Sequence, residues 1–126
     1  MARCLNMASV ILIGLEQATA NQIRKMLPPD RHCIEYSDAT TSARDLRGAD
    51  LVFVGGGHNQ SLSLLRQIRQ AVPDVPCAVA TRMPETNEWL DSLEAGAVDY
   101  CAAPFDSRQI LRLLNSIGPA RRHAVA

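Results

Sequence analysis

Short apolar runs alternate with longer segments of helical period along this chain, which is the pattern of a parallel sheet covered on both faces. The first run predicts a strand over Ser9 to Ile13. A helix follows from about Gln17 to Leu27, with Ala20, Ile23 and Leu27 on one stripe and Pro28 and Pro29 as its stop. His32 to Tyr36 predicts a short second strand, and a weak helix over Thr40 to Arg47 ends at Gly48. The third strand, Leu51 to Val54, runs directly into Gly55, Gly56 and Gly57.

The helix after these glycines aligns Leu62, Leu65, Ile68 and Val72, and Pro73 ends it. Cys77 to Thr81 predicts a fourth strand, and a helix over roughly Glu85 to Ala95 closes on Gly96. Trp89 lies beside the stripe formed by Thr86, Leu90 and Leu93, so it is either partly exposed or folded onto the sheet edge as core. Val98 to Ala102 predicts the fifth strand, leading to Pro104. In the last helix Asp106 and Gln109 have N-cap and N3 spacing, and Ile110, Leu113, Leu114 and Ile117 share a face until Gly118 and Pro119. No internal repeat is visible, and Ala120 to Ala126 reads as a tail or the start of a linker.

The 126 residues suffice for one domain. Thirteen basic residues balance thirteen acidic ones, so no global field favours nucleic acid or anionic lipid, and no direct nucleic-acid binding is expected. Cys4, Cys33, Cys77 and Cys101 form no CxxC and no Cys/His ligand spacing, so they are expected to be reduced, buried small hydrophobes. Met7 to Leu15 behind Arg3 has the length of a signal-peptide core, but no small-residue cleavage site follows, and a core strand is the better reading. Met7 is a second candidate start. Nothing approaches the ~20 apolar residues of a membrane helix, and a cytoplasmic location without membrane association is expected.

Leu93-Glu94-Ala95-Gly96-Ala97-Val98-Asp99-Tyr100 followed by Pro104-Phe105 resembles the LEAGADDY...KPF signature of response-regulator receiver domains. The strands over Val10 to Ile13, Asp50 to Val54 and Pro76 to Thr81 fall at that family's spacing, so the resemblance covers residues 8 to 118, with 1–7 as an N-terminal extension and 119–126 as the tail. It implies a flavodoxin-like (βα)5 three-layer sandwich with a five-stranded parallel sheet of order 2-1-3-4-5, serving two-component signal transduction. It also implies a cis Ala103-Pro104 bond.

The family's phosphoryl-accepting aspartate aligns with Gly55, its Mg²⁺-binding acidic pair with Gly14 and Leu15, and its lysine with Ala103. Glu16 alone is a poor substitute for the pair. Thr81 matches the family's hydroxyl residue and Tyr100 its rotating aromatic; the plainer alternative is a β-branched strand end and a half-buried strand tyrosine with its hydroxyl at the surface. The loop after Gly55 is about two residues shorter than the family's and lacks its proline. The resemblance therefore implies a degenerate receiver acting by protein contact or dimerisation, alone or with an effector domain in a longer chain. Its face is expected at Trp89, Tyr100, Arg82, Arg108 and Arg112, although arginines there are also ordinary solvated residues.

Gly56, Gly57 and His58 lie between a strand and a helix, where backbone amides can hold an anion, and a pocket emptied near Gly14, Gly55 and Thr81 is the alternative site for a small ligand. The competing reading is a flexible glycine loop with a solvated His58. No Ser/His/Asp set, paired carboxylate or Cys/His couple converges on this region, so no enzymatic activity, cofactor or metal is expected.

Overall fold

The computed structural model describes residues 8–27, 31–36 and 46–115. Strands β1 (Ala8–Ile13), β2 (Arg31–Tyr36), β3 (Leu51–Val54), β4 (Cys77–Thr81) and β5 (Asp99–Ala102) form one parallel sheet in the order β2-β1-β3-β4-β5. Helices α1 (Gln17–Met26), α2 (His58–Ala71), α3 (Thr86–Glu94) and α4 (residues 107–115) follow β1, β3, β4 and β5. Of the helix expected over Thr40 to Arg47, only Leu46 and Arg47 are described, and both are helical. Ile117 and the tail expected from 119 lie outside the described residues.

Register explains the two cores. Val10 and Leu12 of β1, Leu51 and Phe53 of β3, Ala78 and Ala80 of β4 and Cys101 of β5 point to one face, covered by Ala20 and Ile23 of α1 and by Ile110, Leu113 and Leu114 of α4. The alternate positions Ile11, Ile13, Val52, Val54, Cys77 and Val79 point to the other, covered by Leu62, Leu64, Leu65 and Ile68 of α2. Sheet residues buried on both faces read as continuous apolar runs, and that is why these strands were legible. Cys77 and Cys101 are buried, as expected. No helix among the described residues is long and apolar enough to cross a membrane.

The start of α4 is capped by Asp106, whose Oδ1 accepts the Arg108 N–H at 2.9 Å. The reciprocal half of the expected capping box does not form. Gln109 instead donates to Asp99 Oδ2 at 3.1 Å, tying α4 to β5. The Ala103–Pro104 bond is cis.

Helix α3 departs most from expectation. Its buried side chains are Glu88 and Ser92, while Leu90 and Leu93, the stripe that periodicity turned toward the sheet, are exposed with Trp89. No residue of α3 belongs to either apolar cluster. The cause is local: the Tyr100 phenol reaches up from β5 beneath the helix, and a carboxylate satisfies it where an aliphatic side chain cannot.

Candidate functional site

The carboxyl ends of β1, β3 and β4 converge on the glycine loop, where ligands gather in open α/β sheets. Strand β3 ends at Val54, and the N–H of the next residue, Gly55, still donates to the Ile13 carbonyl at 3.1 Å, so the β1–β3 pairing runs to the rim of the site. A Cβ at position 55 would lie 2.5 Å from Leu15 Cδ2 and 2.9 Å from the Ala80 carbonyl oxygen. Leu15 packs against the apolar cluster beneath, so the space a side chain at 55 would claim is filled. Gly14 adopts φ +73°, and a Cβ there would approach the Gly55 carbonyl oxygen to 3.0 Å. A residue bearing a side chain is strained at that backbone geometry.

Leu15 therefore occupies the part of the expected opening that lies over Gly55. A cavity beside it holds about 160 Å³ and is lined by Glu16, Gly57, His58, Thr81, Arg82, Met83, Glu85 and Glu88. That is smaller than the ~300 Å³ at which pockets for drug-sized ligands begin. Three carboxylates line it against one arginine and one histidine, and Arg82 reaches toward Glu16 at 3.7 Å.

The helix terminus carries the same sign. Gly57 is the N-cap of α2, but His58 Nε2 lies 2.9 Å from Asp91 Oδ2 and its Nδ1 lies 3.9 Å from Glu85 Oε2. Asp91 of α3 and its N-cap Glu85 thus place two carboxylates against the His58 ring at the start of α2, and their charge disfavours an anion nearby. The arrangement pins the start of α2 to α3. Among the described residues, no group of three or more His, Cys, Asp or Glu could hold a metal ion.

Thr81 and Tyr100 both fasten the β4–α3 loop. Thr81 Oγ1 accepts the Met83 N–H at 3.1 Å. The Tyr100 hydroxyl accepts the Glu85 N–H at 3.3 Å and donates to Glu88 Oε1 at 2.6 Å. The tyrosine hydroxyl expected at the surface is instead engaged beneath α3. Burial, reinforced by the Glu88 carboxylate, pushes its ionisation up to about 12. Glu88 is only 3% exposed, and its second oxygen meets the Ser61 hydroxyl at 3.5 Å. Sequence reasoning missed Glu88, Ser61 and Asp91, because polar residues beside an apolar helical stripe read as solvated.

The opposite side of α3 is apolar and open. Trp89 and Leu90 are each 46% exposed, with Leu93 and Val98 comparable. Fully burying one such aliphatic side chain gives about 1.5–3 kcal/mol, so leaving several outside forgoes a stabilisation of several kcal/mol. Arg108 and Arg112 project from α4 beside Leu111, along an open groove of about 510 Å³ that Asp106 and Asn115 also line. Arg82 does not join them; it faces the small cavity with Glu16.

A parallel sheet in this order, with β3 ending opposite the β1 loop and a hydroxyl and an aromatic on β4 and β5, defines the receiver class of flavodoxin-like domains. The chain is homologous to the receiver domains of two-component response regulators. A response regulator from Thermotoga maritima is 28% identical, with a TM-score of 0.74 over 87% of this chain and 96% of that one. The signal receiver domain of a Bacteroides fragilis response regulator superposes with a TM-score of 0.75 at 18% identity, covering 87% of this chain and 95% of that one. Response regulator MprA of Mycolicibacterium vanbaalenii is 24% identical over 113 residues, 86% of this chain and 49% of MprA. The chain thus spans about half the length of the curated relatives it matches. No protein-family model matches it.

Proposed function

We propose that this domain is a degenerate receiver, working by protein contact without phosphorylation. The observation that carries this is the Leu15 side chain packed into the space over Gly55. Nothing at Gly55 can attack a phosphoryl donor, and Gly14 and Leu15 offer Mg²⁺ no carboxylate oxygen. Ala103 offers no cation to a phosphoryl oxygen. Without that input, a two-state equilibrium has no phosphoryl bond energy to shift it, and the domain rests in one pose.

The docking face is formed by α3, β5 and α4. Trp89, Leu90, Leu93 and Val98 supply an exposed apolar centre, and a buried aromatic anchor is a recurrent source of binding energy. Exposed Glu85 and Glu94 lie on α3 and exposed Arg108 and Arg112 on α4. A two-fold axis through β5 would bring these opposite charges together, which favours a second copy of the domain as the partner. In a longer chain the same contact would pair two effector domains.

Two measurements test the reading. Titration with Mg²⁺ and beryllofluoride, followed by amide NMR, is expected to leave Gly55 and Thr81 unmoved; shifts at millimolar ligand overturn phosphorylation independence. Sedimentation equilibrium is expected to show a dimer that Trp89→Ala with Leu93→Ala dissociates. A wild-type domain that is monomeric at high micromolar concentration overturns the homodimer.

A further inference from the structure

The inward face of helix α3 is polar along its length, and only its C-cap, Ala95, packs against an apolar cluster. Glu88 reaches Tyr100 and Ser61, Asp91 reaches His58, and no residue of the helix joins either apolar cluster. Ser92, turned inward one helical turn from Glu88, finds no hydrogen-bond partner for its hydroxyl. The inward face therefore lacks both the apolar packing of a core helix and a complete polar network, and a segment with few such contacts opens as a local unit.

Among these ties the Glu88–Tyr100 contact stands apart. It is the shortest, at 2.6 Å, its acceptor is a buried carboxylate, and it joins the helix to the sheet rather than to another surface element. The same phenol also accepts the Glu85 N–H, so one hydroxyl fixes both the N-cap and the first turn of α3. His58–Asp91, by contrast, is part-exposed and bridges two helices.

We infer that Glu88 is the latch of α3, a positioning residue whose carboxylate, through the Tyr100 hydroxyl, keeps the helix seated with Trp89, Leu90 and Leu93 facing outward. Opening the latch frees α3 while the sheet, α1, α2 and α4 stay packed, because those elements hold one another through the two apolar clusters. The docking face would then be governed from inside the domain, by a contact it does not contain. That regulatory sense rests on the docking reading; the latch itself does not.

The test is amide hydrogen exchange on the whole chain for wild type, Glu88→Ala, Glu88→Gln and Tyr100→Phe. Amides of Thr86–Glu94 are expected to exchange about tenfold faster in Glu88→Ala and Tyr100→Phe, the effect of losing a hydrogen bond to a charged group, while α2 keeps its protection. Fluorescence anisotropy of Trp89, the single tryptophan, should fall in the same variants. Glu88→Gln, which keeps an oxygen for the phenol, should restore most of the protection. Unchanged α3 exchange in both disruptive variants overturns the latch, as does acceleration spread equally over α2 and α3. A latch that holds in a domain that stays monomeric sinks the docking reading and leaves the latch standing.

Discussion

The Tyr100 hydroxyl donates to Glu88 Oε1 at 2.6 Å, which joins strand β5 to a helix whose inward side chains, Glu88 and Ser92, are polar. The phenol must keep its proton to make that bond, and its ionisation is raised from 10.0 to about 12, by burial first and then by Glu88. A group with a raised folded pKa contributes stability that is whole below its unfolded pKa and is lost as pH rises through the folded one. The urea midpoint of the wild type should therefore fall more steeply between about pH 10 and 12 than that of Tyr100→Phe. Parallel profiles for the two proteins would show that the phenol carries no such linkage.

Ser92→Ala should leave the domain as stable or stabilise it by up to about 1 kcal/mol. The hydroxyl is buried with no partner, and alanine is the better helix former. Thermal melts of the two proteins decide this, and a fall of several degrees would mean that the hydroxyl has a partner after all.

Gly55→Asp should destabilise the fold by about 1–3 kcal/mol, the usual range for overpacking, because the new Cβ meets both Leu15 and the Ala80 carbonyl. Acetyl phosphate should not label this variant, since no acidic pair is present to hold Mg²⁺. An unchanged urea midpoint would refute the first expectation, and a phosphorylated product on intact-mass analysis the second.

Cys77 and Cys101 should resist iodoacetamide in the native protein at pH 8. Both are buried, and burial together with Asp99 pushes the Cys101 thiol up to about 12, leaving almost no thiolate. Peptide mapping after brief labelling, with and without denaturant, reads each cysteine separately.

Trp89→Ala should change the stability of the monomer by no more than about 0.5 kcal/mol, as for other exposed positions away from caps and cores. Its effect belongs on association. A large loss of stability in dilute monomer would place the indole in the fold rather than at an interface.

The sheet was legible because buried strands announce themselves: Val10 to Ile13 and Leu51 to Val54 are unbroken apolar runs, and all of their side chains are buried. In the structure Gly55 follows β3, Thr81 is the last residue of β4 and Tyr100 lies within β5. Helix α3 was not legible in the same way. Periodicity shows that Thr86, Leu90 and Leu93 share a side, but not which side faces the sheet, and here a phenol beneath the helix reversed the usual answer. The filling of the site was hidden for a related reason. Along the chain Gly14 and Leu15 stand about forty residues from Gly55, whereas in space Leu15 lies over Gly55.

That overlap couples positions 15 and 55 energetically. A side chain placed at 55 collides with Leu15, so its cost depends on what stands at 15, and a smaller residue there should relieve it. The two positions, one on the loop after β1 and one at the end of β3, behave as a single volume shared between two elements.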